Sequence, residues 1–490
     1  MNTLSIEPPH YPLPDGELQF LASEDELYDY RNLYAFASWL NEALESYEIS
    51  DDRPVILFAS SSNQQVFILA ACWLLQYPFL PLSPEMTDSE LETVLSVISP
   101  SVVITDNDPD NRLDPLPSLF VPSFKLELQG KTDRSRFSSY APEKLMGYFL
   151  TSGSTGVPKI VPLKRRQILY ASHASGTNFQ PETNEYWLLC LPLNHIGGIS
   201  IIIRCILYQA AIYRMDRFDH EQVITFLSEN KLFQIASLVP TMLNRLLKLP
   251  AFRVHLDFQA ILLGGGPITP TLIRQSIERG IPIVSSYGMT ETCGQIAANP
   301  YLKPSGIYHP KKSVGRIFKP NSVQIRDDSG RPLSRNEAGM VWVRGPQVFD
   351  GYLDKRQNEG NFDRDGWFRT GDYGYLNRYD QLFIETRRTD LILTGGENVN
   401  PFEVESALED LENIAEAAVV GVADAEWGQA VTAFVLPANG CEPEEESLKS
   451  SLRKTLSPYK IPKRIVILDE FPFTASGKID RKRLREGFAH

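Results

Sequence analysis

The 490 residues exceed what one hydrophobic core ordinarily serves, so two or more domains are expected. An apolar share of 42% beside 22% charged residues fits a soluble globular enzyme, and a net charge of −13 argues against nucleic acid or an anionic membrane as main partner. The five cysteines (Cys72, Cys190, Cys205, Cys293, Cys441) show no Cys-x-x-Cys pairing, which reads as reduced thiols rather than a zinc site or disulfides. Met1-Asn2-Thr3-Leu4 leads to Pro8-Pro9 without a charged-then-apolar signal, and the longest apolar run, Ile199 to Ile203, is too short for a bilayer. The expected location is the cytoplasm, with no membrane insertion; homo-oligomer formation is left open.

Residues 1–26 are polar and proline-rich and read as a loosely ordered lead-in. Leu33 to Ala43 is amphipathic, Pro54 to Phe58 reads as a buried strand, and Gln64 to Leu75 as a long apolar helix. Phe79 to Leu82 and Val102 to Thr105 follow as strands with a helix between them. The alternation resumes at Trp187 to Leu191, Ile235 to Val239, Ala260 to Leu263 and Ile281 to Val284. Such alternation implies parallel strands with helical crossovers. After about residue 310 the pattern turns to short strands, at Val323 to Ile325, Gly339 to Val343 and Phe383 to Glu385. Beyond Thr389 a small α/β unit runs to the end.

The most informative stretch is Leu150-Thr151-Ser152-Gly153-Ser154-Thr155-Gly156-Val157-Pro158-Lys159. Gly153 and Gly156 let backbone N–H groups turn toward anionic oxygens, Thr151, Ser152, Ser154 and Thr155 add hydroxyl donors, and Lys159 adds a full charge. The spacing differs from the usual nucleoside-triphosphate loop, and the flanking apolar runs read as strand, loop, strand. Basic residues gather at Lys159 to Arg166 and at Lys454 to Arg485, as an anionic ligand would require.

Four further segments follow in order: Ser286 to Thr292 (Ser-Tyr-Gly-Met-Thr-Glu-Thr), Arg369-Thr370-Gly371-Asp372, Gly395 to Pro401, and Thr474 to Arg481 with Ser476-Gly477-Lys478. With the opening loop they resemble the motifs of the adenylate-forming superfamily, which includes acyl- and aryl-CoA ligases, luciferases and peptide-synthetase adenylation domains. The resemblance covers about residues 27–490. It implies an α/β fold: a large N-terminal domain of two α/β sheets plus a β-rich subdomain (1–387), a hinge (388–390) and a small mobile C-terminal α/β lid (391–490). It also implies ATP, Mg²⁺ and CoA as cofactors and a small-molecule carboxylic acid as substrate. The acid would attack the α-phosphorus of ATP, giving an acyl-adenylate and pyrophosphate, and a thiol would then take the acyl group. Two anions must meet, so the protein has to aim cations and donors at phosphate.

By the same resemblance, Thr151 to Lys159 cradles the β- and γ-phosphates, Thr290 meets the α-phosphate and Glu291 holds the magnesium. Tyr287 stacks on adenine, the turn Gly264-Gly265-Gly266 runs along its other face, and Asp372 takes the ribose hydroxyls with Arg387 beside it. Lys478 bridges the carboxylate and the α-phosphate. Gly395, Gly396 and Glu397 line the thiol tunnel after a rotation of the lid. Thr389 stands where many relatives carry Asp or Lys, and Asn400 where many carry Tyr; neither change looks disabling.

The segments Leu191 to Leu207, Ser237 to Leu243 and Tyr287 to Gln295, the last with Thr292-Cys293-Gly294, resemble the o-succinylbenzoate–CoA ligases of menaquinone and phylloquinone biosynthesis. Arg204 is a lone guanidinium in an apolar helix, costly to bury unless an anion meets it. It is therefore expected to hold the second carboxylate of a dicarboxylic acid, with His195 lining the acyl pocket. Another aryl- or medium-chain acyl-CoA ligase, and transfer to a carrier-protein thiol, stay open as alternatives. A non-catalytic acyl-adenylate-binding relic is disfavoured, since Lys159, Glu291, Asp372 and Lys478 are all present.

Overall fold

The computed structural model describes residues 7–487 apart from 60–61, 106–111, 114–115, 122–133, 135–136, 138–139, 152–158, 230, 267, 302–312, 388–390, 395–396, 425–426, 439 and 475–477. It begins with a hairpin, β1 (Gln19–Ala22) and β2 (Leu27–Asp29), followed by α1 (Tyr30–Ala43). A first alternating run comprises β3 (Val55–Phe58), α2 (Asn63–Leu75), β4 (Phe79–Leu82), α3 (Asp88–Leu95), β5 (Val102–Thr105) and β6 (Ser118–Phe120). The pair β7 (Leu145–Thr151) and β8 (Lys159–Lys164) leads into α4 (Arg165–Asn178). A second run holds β9 (Tyr186–Leu189), α5 (Ile196–Tyr208), β10 (Ala211–Arg214), α6 (His220–Glu229), β11 (Phe233–Leu238) and α7 (Pro240–Leu247). It continues with β12 (Ala260–Leu263), α8 (Pro270–Glu278), β13 (Ile283–Met289) and β14 (Gly294–Ala298). Short strands follow: β15 (Arg316–Ile317), β16 (Ser322–Arg326), β17 (Gly339–Arg344), β18 (Phe368–Leu376) and β19 (Leu382–Arg387). The last unit contains β20 (Ile392–Thr394), β21 (Glu397–Val399), α9 (Pro401–Glu409), β22 (Ile414–Asp424), β23 (Gly428–Pro437), α10 (Glu445–Leu452), β24 (Arg464–Ile467) and α11 (Arg481–Glu486).

These strands form four sheets. The first run makes a six-stranded sheet in the order β6-β5-β3-β4-β7-β8, parallel except for the β7–β8 edge. The second makes a nine-stranded sheet, β15-β14-β13-β12-β11-β9-β10-β1-β2, parallel from β13 to β1. Helices α2 and α5 pack against each other, and Gln64 to Leu74 and Gly198 to Tyr208 are buried along their whole lengths. A helix apolar all round belongs in such an interior. The strands β16 to β19 form the antiparallel β-rich subdomain.

The two α/β sheets, the β-rich subdomain and the small C-terminal α/β unit bear out the expected fold class. The expected lead-in needs correction. Gln19 to Ala22 is a strand pairing parallel with β10, and Phe20 and Leu21 are fully buried. The polar, proline-rich composition hid it because one apolar dipeptide is too short to show a period. No helix among the described residues is long and apolar enough to cross a membrane. All five cysteines are free, and burial pushes the thiols of Cys72, Cys190 and Cys293 up to about 12, as buried small hydrophobes require.

From Ile392 onward the chain packs its own cores. One includes Ile392, Val404, Leu408, Val419, Val431 and Leu452; the other gathers Ala418, Val420, Phe434, Phe471 and Leu484 on the opposite face of the sheet. A buried carboxylate ties α9, which packs on the first core, to the start of α11, which packs on the second. Glu405 on α9 accepts two guanidinium bonds from Arg481, at 2.6 and 3.0 Å, and one from the Val419 N–H at 2.6 Å. Arg481→Ala would leave Glu405 buried without this cation and is expected to destabilise the C-terminal unit by about 3–5 kcal/mol. Urea unfolding followed by tryptophan fluorescence checks it, and an unchanged midpoint would contradict it.

Glu409, one turn further along α9, sits differently. Burial, then the neighbouring Glu405, push its carboxyl up to about 8; the Ala417 N–H at 3.4 Å works weakly the other way. A carboxyl with a raised folded-state pKa holds its proton in the folded protein and loses it on unfolding. It therefore contributes a stability penalty that grows as pH rises from the ordinary carboxylate range through about 8. Glu409→Gln is expected to remove that alkaline loss, so its melting temperature should exceed the parent's at pH 9 and match it near pH 5, as read by calorimetry.

Candidate active site

A cleft of about 3350 Å³ runs between the large domain and the C-terminal unit, lined by Lys159, His195, Arg204, Tyr287, Glu291, Asp372 and Lys478 among others. Single small-molecule pockets usually span about 300–1,000 Å³, so this space suits more than one ligand.

Its floor is the carboxyl edge of the parallel strands, where open α/β sheets bind ligands. After β12 the chain turns through Gly264, Gly265 and Gly266. Gly265 has φ +75°, the left-handed region that a Cβ disfavours, and a Cβ on Gly264 would lie 2.8 Å from the Ser286 hydroxyl. Next to it β13 carries Tyr287 into the cleft. The Tyr287 hydroxyl donates to Asp372 Oδ2 at 2.5 Å, joining the large sheet to the β-rich subdomain. Asp372 is buried on β18, its N–H held by the Thr370 hydroxyl at 3.1 Å, and strand register puts it opposite Arg387. That pairing was expected; the Arg387 side chain lies outside the described residues.

Beyond β13 the chain makes one 3₁₀ turn, Thr290 to Thr292, closed by the Thr292 hydroxyl on the Met289 backbone. Glu291 is buried within it. One carboxylate oxygen accepts from the Tyr352 hydroxyl at 2.8 Å, and its carbonyl accepts the Phe349 N–H at 2.9 Å. Tyr352 also faces Lys159, whose Nζ lies 4.7 Å from its ring centroid. Thr151 and Lys159 pair directly across β7 and β8, so the stretch between them is a strand-to-strand loop as read from the sequence. Its Ser152, Gly153, Ser154, Thr155 and Gly156 lie outside the described residues, as do Gly395, Gly396 and the side chain of Glu397.

A lone carboxylate, oriented by a neighbour and facing a polyphosphate-sized space, fits Mg²⁺, which keeps waters and takes phosphate oxygens. Among the described residues no group of three or more His, Cys, Asp or Glu forms a closed metal cage.

Lys478 comes from the other side of the cleft. Its Cε lies 4.0 Å from where a Cβ on Gly265 would sit. The loop bearing it is closed by the Thr474 N–H to Lys478 O (2.8 Å) and by the Lys478 N–H to the Thr474 hydroxyl (3.2 Å). Arg245 of the large domain lies over the Phe473 ring at 4.7 Å. Further contacts join the two parts: Lys248 with Glu416 at 3.5 Å, and Asp410 with Arg274 at 3.6 Å and with the Thr271 hydroxyl at 3.1 Å.

His195 caps α5 at the cleft. Burial and the nearby Lys478 charge hold its imidazolium below the usual range, so the ring is neutral at pH 7. Two turns along, Arg204 is 2% exposed, and its Nε has no hydrogen-bond partner among the described residues. A snorkelling arginine is thereby excluded.

The two basic clusters do not serve the cleft as wholes. Lys164 and Arg166 pair with Asp350 at 3.4 and 2.5 Å, and Arg165 is buried over Trp73 at 3.6 Å. Lys460 is held by Glu403 at 2.7 Å and Arg481 by Glu405. Sequence reasoning missed Tyr352, which lies in no segment whose residue types suggest phosphate or acid chemistry; it reached Gln295 only as the end of the Tyr287–Gln295 segment and gave it no role.

The family profile described as AMP-binding enzyme matches residues 14–353, and that of the AMP-binding enzyme C-terminal domain matches residues 403–478. The 2-succinylbenzoate–CoA ligase of Enterococcus faecalis is 34% identical over 444 residues, covering 89% of this chain and 90% of that one. The Listeria monocytogenes enzyme of the same name is 38% identical over 337 residues, covering 69% and 68%. Among solved structures, the o-succinylbenzoate CoA synthetase of Bacillus subtilis in complex with its acyl-adenylate intermediate superposes with a TM-score of 0.83 at 29% identity, over 96% of this chain and 95% of that one. A match of this extent, through both the large domain and the C-terminal unit, makes the chain a member of the AMP-binding enzyme family.

Proposed function

We propose that this chain is an AMP-forming acid–thiol ligase that converts 2-succinylbenzoate to its CoA thioester through an acyl-adenylate. The observation that carries the substrate is Arg204, a buried guanidinium facing the cleft with no ion pair to a described residue. A second carboxylate on the acid supplies the missing anion, and relatives at 34 and 38% identity bear that substrate in their names.

In the first half-reaction a carboxylate oxygen attacks the α-phosphorus; the new C–O–P bond forms as the bond to pyrophosphate breaks. Lys478, whose proximity to the Gly265 turn supports the reading, would bridge the two anions as they meet. Thr290 donates to the α-phosphate, Asp372 accepts the ribose hydroxyls, and Tyr287 packs on adenine with its hydroxyl fixed by Asp372. Lys159 and the loop from Thr151 hold the outer phosphates. Glu291 would hold Mg²⁺, which offsets phosphate charge when bound. His195 stays neutral, so the cations facing the acid are Arg204 and Lys478. In the second half-reaction the CoA thiol attacks the acyl carbon and AMP leaves. For this step the residues after a hinge at 388–390 would rotate to bring Gly395, Gly396 and Glu397 to the thiol.

Pyrophosphate release with ATP and Mg²⁺ tests the reading, with 2-succinylbenzoate set beside benzoate, 4-coumarate and octanoate. Release confined to 2-succinylbenzoate, with a CoA thioester as product, is expected; release with a monocarboxylate would overturn the substrate. Lys478→Ala should slow pyrophosphate release roughly 10²–10³-fold, while thioester formation from a supplied acyl-adenylate persists. Equal loss in both half-reactions would remove Lys478 from its place. Arg204→Met should raise KM for 2-succinylbenzoate by roughly 10- to 100-fold, leaving ATP affinity unchanged.

A further inference from the structure

Arg204 has company that the reaction scheme leaves unused. Gln295, the second residue of β14, is 6% exposed and lines the same cleft, and its Nε2 has no hydrogen-bond partner among the described residues. Its other amide atom is engaged: the Ser175 hydroxyl on α4 donates to Gln295 Oε1 at 3.2 Å. Both α4 and α5 pack on β14, so Ser175, Arg204 and Gln295 belong to one wall. The titratable neighbours that sense the Arg204 charge are Tyr11, Tyr208, Cys205 and Cys293, and the uncharged Trp187 ring lies 6.0 Å from the Arg204 Cζ. Burial pushes all four groups up, Tyr11 and Cys293 to about 12, so they are neutral at physiological pH and none is a counter-ion.

Two buried donor groups on one wall, with no acceptor supplied by the described residues, need a ligand that is all acceptor. A carboxylate offers two oxygens and about four lone pairs; an apolar acyl chain would leave both donors unpaired. We propose that Gln295 is a specificity residue of the acyl pocket, its carboxamide N–H donating to the same carboxylate that Arg204 holds. The assignment rests on the reading of Arg204 given above and adds a directional, neutral donor to its charge.

The test compares KM for 2-succinylbenzoate with KM for the single-carboxylate analogue that keeps the reacting carboxylate, namely whichever of 4-oxo-4-phenylbutanoate and 2-butyrylbenzoate is adenylated. The wild-type protein should separate the diacid from that analogue. Gln295→Met keeps the length and removes the donor; it should raise KM for the diacid roughly tenfold while kcat and the analogue's KM move less than about twofold. Gln295→Glu keeps the shape and the Ser175 contact but brings a like charge, and should lose roughly a hundredfold with the diacid. It decides the matter should the methionine variant fail to fold. A wild-type protein that does not separate the acids overturns the Arg204 reading and this assignment with it. A wild type that separates them beside variants that separate them equally well overturns Gln295 alone. A loss equal for the diacid and the analogue marks a packing residue and overturns it too.

Discussion

The cleft depends on one buried carboxylate of the C-terminal unit. Glu405 is buried at the heart of the C-terminal unit, and the Arg481 guanidinium, three residues beyond Lys478, is clamped to it. A buried charge pair adds little net stability over a well-packed apolar pair, but losing one partner is costly, so such a pair works as a register device. Here it fixes which stretch of loop is presented at the sheet face. The Thr474–Lys478 closure then sets the direction of the lysine. Lys478 therefore reaches the Gly265 turn by way of a core that contains no residue of the large domain.

Charge is distributed with the same economy. The chain carries a net −13, yet the groups proposed to meet phosphate and carboxylate are cations set one at a time among neutral donors. Tyrosine hydroxyls do much of the orienting. Tyr287 steadies Asp372 and Tyr352 steadies Glu291, each across a junction between the large sheet and later segments. Both hold a carboxylate without neutralising it, which preserves its capacity to accept ribose hydroxyls or a cation. Uncharged His195, proposed to line the acid's path, likewise brings no cation to compete with Arg204 for the proposed carboxylate.

Much of this was legible in the sequence, for identifiable reasons. Strands such as Val55–Phe58 and Ala260–Leu263 are short apolar runs between turn residues, and α2 and α5 are long runs that are mostly apolar, so composition and length found them. The segments proposed to bind nucleotide were visible because phosphate and ribose demand particular residue types in short stretches. What stayed hidden depends on partners distant in the chain: Tyr352 meets Glu291 across 61 positions, and Arg481 meets Glu405 across 76. The basic runs misled for the same reason, since Asp350 and Glu403, which occupy Arg166 and Lys460, lie far from them in sequence. Gln295 ends a segment the sequence singles out, but a role for it needs the orphaned amide, and a one-dimensional string contains no orphans.

The contacts that join the C-terminal unit to the large domain have a character of their own. Lys248–Glu416 and Arg274–Asp410 span 3.5 and 3.6 Å, and both members of the second pair are 55% exposed. Pairs of this kind contribute at most about 1 kcal/mol each, and added salt weakens them while leaving apolar cores untouched. The seam is thus soft where the bodies on either side are hard. Ionic strength can act on it as a throttle, shortening the time the lysine spends over the nucleotide face without unfolding anything.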